Sequence, residues 1–332
     1  MVKTKVLVLG SLAYDYIMGF KENFINAVSI NIDKEEYQST ITADSRHQFF
    51  GGTAGNIAYN LGLLNIAGVS VFGAVGNDFE RLGYREHINQ FSNVDLHVDV
   101  HNDLFTAACY IVNDIKANQM IIFHGGALDK GRDINLKEKI LKPEDFLYAI
   151  NSTQSVEAMT NFAIQLSELE IPMIFDPGQV TPLFQKESLI EMIKLSEILI
   201  GNIHEIEKIK EKSELTEEAM LNKIKAIIKT KGSEGSELIY RDDNEKIFKI
   251  NIPIAIVDKI VDTTGAGDGY RAGLLTGLIL NMTLLDSCRL GAIIGSFVVE
   301  TRGAQTQKFD IKNVRKRFFN TFNYIPSELE RL

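Results

Sequence analysis

Four short apolar runs recur along the chain, and each stops at a glycine beside a polar residue or a tight bend. They are "KVLVLGS" (5–11), "GVSVFGAVG" (68–76), "IPMIFDPG" (171–178) and "SEILIGN" (196–202). A run that is apolar at nearly every position, rather than at every second one, reads as a strand buried on both faces, as inside a parallel sheet. Helical patterns stand between these runs. "TAGNIAYNLGLL" (53–64) places Ala54, Ile57, Ala58 and Leu61 on one face, and "VEAMTNFAIQLSEL" (156–169) precedes the run at 171–178. Strands alternating with helices call for βαβ units and an α/β, doubly wound sheet covered on both faces. The last third reads as helical. Tyr270, Leu274 and Leu278 recur at four-residue spacing, and a helix near 286–299 buries Leu290, Ile293, Ile294, Phe297 and Val298.

Two stretches, within 12–50 and 97–124, break that rhythm. They hold alternating segments such as "YQSTITADS" and "TAACYIVND", the pattern of strands with one wet face. A small second sheet inserted into the main domain explains them, and such a sheet can serve as a lid. The alternative is a pair of ordinary surface loops.

The bulk numbers exclude several function classes. With 44 acidic against 35 basic residues the net charge is −9, which argues against a nucleic-acid partner or an anionic membrane surface. It leaves room for a small anion, because a nest of backbone N–H groups binds one on an acidic protein. The two cysteines, Cys109 and Cys288, lack metal-ligand spacing and are too few for a disulfide scaffold, so a cytoplasmic location is expected. The opening "MVKTKVLVLGSLAYD" reads as a first strand rather than a leader, because its apolar stretch is short and runs into Asp15. No run approaches the ~18 apolar residues of a membrane span.

Four segments carry candidate chemistry. The first is "DTTGAGDGYRAG" (262–273). Gly265 and Gly267 let the backbone turn tightly beside a ligand, and the free N–H groups at the head of the following helix form an anion hole. Asp268 there can take a proton from a hydroxyl, or it can simply cap the helix. The second is "FFGGTAGNIAYNLG" (49–62). Its glycine pair lets a polyol lie against the backbone, and Asn56 offers both a donor and an acceptor; a loop followed by a polar helix residue is the plainer reading. The third is "GNIHE" (201–205), at the carboxyl end of a parallel strand, where open α/β sheets bind ligands. Asn202 and Glu205 can hold Mg²⁺ there through water, and His204 is given no role. The fourth is "KTKGSEGSELIY" (229–240), a hairpin whose Thr230, Gly232 and Gly235 can border a nucleotide. The chain contains no G-x-x-x-x-G-K-[ST], no G-x-G-x-x-G after the first strand, and no H-R-D or D-F-G, which removes P-loop enzymes, Rossmann dehydrogenases and protein kinases.

Taken in this order, these segments resemble the ribokinase-like (PfkB) family of small-molecule kinases over essentially the whole chain. Within it the sequence is most similar to bacterial adenosine kinases and related nucleoside kinases, through "GSLAYDYIM", "GGTAGNIAYNLG", "NQMIIFHGGA" (118–127) and "VVETRGAQ" (298–305). The resemblance implies one domain over 1–332, with a three-layer α/β/α core and a small β-sheet lid. It implies transfer of a phosphoryl group from Mg–ATP to the 5′-hydroxyl of a nucleoside, adenosine first, in purine salvage. Asp268 is then the base, and the backbone of Gly265, Ala266 and Gly267 holds the transferring group. Asp15, Gly52 and Asn56 grip ribose, with Ser11 beside them. Thr40 and Phe123 come from the lid, Phe123 to pack on a base. Asn202 and Glu205 belong to the Mg–ATP site, and Thr230, Gly232, Gly235 and Gly267 line the nucleotide.

In some relatives a monovalent cation such as potassium binds near Asp262 and the end of the 296–305 segment. Relatives pair through the lid or stay single, so monomer and homodimer are both open. The chain departs from the pattern at Cys109, where a lid aromatic is common, and at Gly269 and Tyr270 after the base. Two rival readings remain. A sugar kinase for ribose or fructose shares the signature. A sugar-phosphate acceptor would want clustered basic groups, but Lys21, Lys34, Arg46 and Lys116 are scattered. A non-catalytic binding protein on this fold is the third reading.

Overall fold

The computed structural model describes residues 4–31, 36–116, 118–242 and 244–332, with backbone alone for 28–31 and 36–39. A nine-stranded sheet forms its centre. In chain order its strands are β1 (Lys5–Leu9), β6 (Gly68–Gly76), β7 (Val94–His101), β10 (Phe146–Ser152), β11 (Met173–Asp176), β12 (Ile198–Asn202), β13 (Ala226–Thr230), β14 (Ser236–Arg241) and β15 (Ile247–Ile252). They lie in the order β15-β14-β13-β12-β11-β10-β1-β6-β7. All neighbours are parallel except β13–β14 and β14–β15.

The continuous apolar runs supply both faces at once. On β1, Val6 and Val8 enter one core cluster, while Leu7 and Leu9 enter the other. The first cluster packs under the helices Thr53–Leu64, Ala266–Ile279 and Leu284–Val298, the second under Val156–Glu168, Lys186–Lys194 and Ile203–Ser213. Leu290, Ile293, Ile294, Phe297 and Val298 are all buried as their spacing predicts.

A four-stranded sheet stands apart in the order β5-β2-β8-β9, from β2 (Ala13–Gly19), β5 (Ser45–Gly51), β8 (Ala107–Asn113) and β9 (Gln119–His124). β3 (Val28–Asn31) and β4 (Glu36–Ser39) pair as a separate ribbon. Residues 97–101 differ from the sequence reading: they complete β7 at the edge of the large sheet. β9 differs too, because it is exposed on both faces rather than one; among the described residues it is an edge strand of the small sheet. Among the described residues no helix is long and apolar enough to cross a membrane.

Candidate active site

The carboxyl ends of the parallel strands lie along one edge of the sheet, where open α/β sheets have their ligand crevice. β11 ends on Asp176, β12 on Asn202 and β13 on Thr230, and Asn202 pairs with Thr230 in register. Beyond β1 the chain turns at Gly10 and Ser11. Ser11 anchors the next helix: its Oγ accepts the Thr53 N–H at 3.0 Å and its carbonyl accepts that of Ala54 at 3.0 Å. Gly52, with φ 85°, precedes that helix, and a Cβ there would lie 2.5 Å from the Ser11 carbonyl oxygen.

The helix Ala266–Ile279 begins three residues earlier than a cap at Asp268 requires. Its N-cap is Gly265, at φ 79° and with no side-chain cap. The capping reading of Asp268 is therefore wrong: the residue lies inside the first turn. Its Oδ2 accepts a 2.7 Å hydrogen bond from Asn56 Nδ2 instead. The Ala266 N–H donates to the Thr263 carbonyl at 3.2 Å, whereas those of Gly265, Gly267 and Asp268 have no partner among the described residues. Three N–H groups at a helix head, with the positive end of the dipole behind them, suit an anion.

Asn56 is itself fixed. Its Oδ1 accepts from Gln305 Nε2 at 2.9 Å, and that nitrogen also reaches the Tyr84 hydroxyl, which donates to the Gly51 carbonyl at 2.5 Å. The arrangement leaves only the Asn56 amide nitrogen to face Asp268. Asp268 is half-buried. Burial pushes its carboxyl up to about 6, opposed by the Arg271 cation and the Asn56 hydrogen bond. Asp15 on β2 is also pushed up to about 6, by burial first and then by the charges of Asp268 and Asp262. Two carboxyl groups thus share the mouth of the crevice with midpoints near neutrality, a common property of proton-transfer sites.

Strand register brings more together. Asp15 pairs with Phe49 on β5 and Cys109 on β8, and Cys109 pairs with Phe123 on β9. Register partners share a sheet face, so Phe49, Asp15, Cys109 and Phe123 form one row. Phe49 packs against Gly303, where a Cβ would lie 2.5 Å from its ring. The row therefore faces the segment after the Leu284–Val298 helix. Phe123 is 57% exposed. Burial pushes the Cys109 thiol up to about 11, which keeps it neutral. Thr40 is exposed in the loop before β5, without a hydrogen bond to the crevice among the described residues.

At the other side of the crevice Asn202 and Glu205 form a reciprocal capping box on the Ile203–Ser213 helix. Asn202 Oδ1 accepts the Glu205 N–H at 2.9 Å, and Glu205 Oε2 accepts the Asn202 N–H at 2.7 Å. Glu205 Oε1 makes no hydrogen bond among the described residues, and burial raises the carboxyl above its usual range. No three His, Cys, Asp or Glu side chains gather as a metal cage among the described residues. In the β13–β14 turn Gly232 (φ 58°) faces open space, while a Cβ at Gly235 (φ 85°) would lie 2.1 Å from the Ile252 carbonyl oxygen. Asp262 has both oxygens engaged, accepting from the Thr264 N–H at 2.9 Å and the Gly303 N–H at 3.0 Å. Tyr270 sits 2.9 Å from Ser236 through its hydroxyl.

The sequence reading missed Arg271, Asp176, Gln305, Tyr84 and Phe49. Arg271 stood three residues after Asp268, on the same helix face. Asp176 stood as a charge closing an apolar strand. Both positions were signals in themselves. Gln305 and Phe49 stood inside the quoted segments 298–305 and 49–62 without drawing a role there, and Tyr84 gave no signal that a single sequence could reveal. Of the scattered basic residues, Lys34 lies outside the described residues, Lys21 pairs with Asp44 at 3.1 Å, and Arg46 lies over the Tyr16 ring at 4.7 Å.

A central mainly parallel sheet, a small four-stranded sheet, and a glycine-headed helix carrying a carboxyl group define the ribokinase-like fold, and solved structures bear this out. The nucleoside kinase of Methanocaldococcus jannaschii superposes with a TM-score of 0.83 at 28% identity, covering 96% of this chain and 98% of that one. That of Burkholderia thailandensis in complex with inosine gives 0.80 at 28% identity, covering 97% and 99%. Residues 3–311 match the pfkB family carbohydrate kinase, and the chain belongs to that family. Among curated relatives, the nucleoside kinase of Methanothermobacter thermautotrophicus is 30% identical over 325 residues, 97% of each chain. The M. jannaschii nucleoside kinase is 30% identical over 307 residues, 91% of this chain and 92% of its own. The protein thus stands among the nucleoside and sugar kinases of the family.

Proposed function

We propose that the protein transfers the γ-phosphoryl group of ATP to the 5′-hydroxyl of a nucleoside, with adenosine as acceptor. The observation that carries this reading is the Asp268 carboxyl, held by Asn56 beside three N–H groups at a helix head that have no partner among the described residues. Asp268 accepts the hydroxyl proton as the new O–P bond forms. The bond from phosphorus to the β–γ bridging oxygen breaks in line with it, and ADP departs. The N–H groups of Gly265, Gly267 and Asp268 take up the charge of the transferring group.

Asp15, beside Gly52 and Asn56, receives ribose hydroxyls, and Ser11 acts through the helix it anchors. The row Phe49–Asp15–Cys109–Phe123 offers apolar and aromatic surface to a base. The four-stranded sheet is the lid of a single domain over 1–332, and Thr40 joins the site from its margin. Thr230, Gly232 and Gly235 border the nucleotide. The residues fit Mg²⁺: Glu205 Oε1 and Asn202 lie at the strand ends, and Mg²⁺ uses few carboxylates and keeps waters. When bound, the ion supplies positive charge to the phosphate oxygens. A monovalent cation near Asp262 would rest on backbone carbonyls, since both Asp262 oxygens hold N–H groups.

Support for a nucleoside over a sugar phosphate comes from the basic side chains, which do not gather. Support from relatives comes through the two archaeal nucleoside kinases and the inosine complex. The test is ADP release from Mg–ATP with adenosine, inosine, cytidine, ribose, fructose and fructose 6-phosphate, in potassium and in tetramethylammonium buffers. Adenosine is expected to give the largest kcat/KM. Turnover confined to free sugars would replace the nucleoside reading with the sugar-kinase one, and no turnover on any acceptor would favour a binding protein.

A further inference from the structure

Arg271 lies one turn beyond Asp268 on the same helix, and only 8% of it is exposed. A buried arginine demands a partner. It has one in Asp176, the fully buried last residue of β11, which receives both Nε and Nη2 of the guanidinium. That two-point grip fixes the guanidinium plane, which one point of contact would not do. The remaining nitrogen, Nη1, is turned toward the phosphate cradle: a Cβ built on Gly267 would lie 2.7 Å from it. Glycine at 267 therefore leaves the space that the guanidinium occupies.

The crevice is otherwise acidic. Asp15 from β2, Asp176 from β11 and Glu205 from the Ile203–Ser213 helix bear on Asp268, as does the Tyr84 hydroxyl from the Tyr84–Asn89 helix. Arg271 is the one cation among the principal influences on the Asp268 carboxyl, and the largest that favours its charged form. The same guanidinium also bears on Glu205.

We propose that Arg271, clamped by Asp176, is a positioning residue for the transfer: it sets a fixed cation one turn from the Asp268 carboxyl, behind the Gly265–Gly267 cradle. This rests on the phosphotransfer reading above for its consequence in catalysis, but not for its electrostatics. A base must be ionised to accept a proton, so activity falls as pH drops through the Asp268 midpoint. Losing Arg271 raises that midpoint and moves the acid limb to higher pH. Lysine keeps the charge but lacks the fork, so it restores the midpoint more fully than the turnover.

The test is a carboxyl carbon-13 NMR titration of the full chain, with the Asp268 resonance assigned by its loss in Asp268→Asn. It is run beside the pH profile of kcat/KM. In Arg271→Met the midpoint is expected to rise by about one to three pH units, and Arg271→Lys to return most of that shift. The methionine variant strands Asp176 as a buried charge. If it does not fold, Arg271→Met/Asp176→Asn removes that charge, and a rise in its midpoint is still expected because the cation one turn from Asp268 is gone. A midpoint that stays put or falls in a folded variant overturns the inference. A shifted midpoint in a protein that phosphorylates nothing upholds it while sinking the function proposed above. Turnover with an unshifted midpoint does the reverse.

Discussion

Two helices start at the same edge of the sheet and treat their first turns in opposite ways. The Ile203–Ser213 helix closes its own head, because Asn202 and Glu205 exchange side-chain and backbone hydrogen bonds. The Ala266–Ile279 helix begins on a glycine with no side-chain cap, leaving three N–H groups without a partner among the described residues. A capped head is worth roughly 0.5–2 kcal/mol to its helix. An open head forgoes that stability and keeps its dipole for a ligand. The contrast separates a helix end that serves the fold from one that serves chemistry, and it recasts what acidic residues in a first turn mean. Glu205 points back to its own backbone, whereas Asp268 points across to Asn56 on another helix.

The sharpest break of that comparison is Asp268→Asn. Asparagine keeps the shape and can still accept from Asn56 Nδ2, so the head stays open and binding survives. It cannot take a proton, and kcat is expected to fall by about a hundred- to ten-thousand-fold, with substrate affinity by calorimetry within a few-fold of the parent. Near-parental kcat would reduce Asp268 to a spectator in the first turn.

Closing the open head by geometry should cost less. In Gly265→Ala the backbone keeps a φ of 79° that L-residues avoid, and the new Cβ would lie 2.4 Å from that of Ala304. The turn must shift, and it carries the N–H groups with it. A displacement near 1 Å costs on the order of a hundred-fold in turnover. Stopped-flow or steady-state kcat reads it directly, and a fully active, folded Gly265→Ala would show that the cradle does not depend on that turn.

Much of this contrast was legible before any coordinates. The runs at 5–11, 68–76, 171–178 and 196–202 each became a buried strand, because a side chain needs no partner on a particular face when both faces are covered. The helices at 53–64 and near 286–299 followed from the 3.6-residue period. Local chemistry stayed hidden where it depends on contacts far apart in sequence. Asn56 and Asp268 are 212 residues apart, and Arg271 and Asp176 are 95 apart. Even the capping box was half visible: Asn202 and Glu205 stand three apart, the spacing a box requires, yet the pair drew attention only as metal ligands. The helix cap also moved three residues upstream of the expected one, since a glycine in the left-handed region can begin a helix where a side-chain cap would not fit.

The smallest expected effect tests whether the closed helix head is only a cap. Asn202→Ala removes the oxygen that accepts the Glu205 N–H at 2.9 Å, which costs roughly 0.5–2 kcal/mol. In a chain this long that corresponds to a Tm loss of about 1–3 °C by calorimetry. A pure cap would lose this stability and nothing else. If Asn202 also sets Glu205 for Mg²⁺, the half-saturating Mg²⁺ concentration rises several-fold while that for the acceptor stays put. The expectation is both changes together, because the box fixes one Glu205 oxygen and thereby aims the other. A drop in Tm with an unchanged Mg²⁺ dependence would make this helix head purely structural, and would leave the open head of the Ala266–Ile279 helix as the site's only helix terminus with a chemical task.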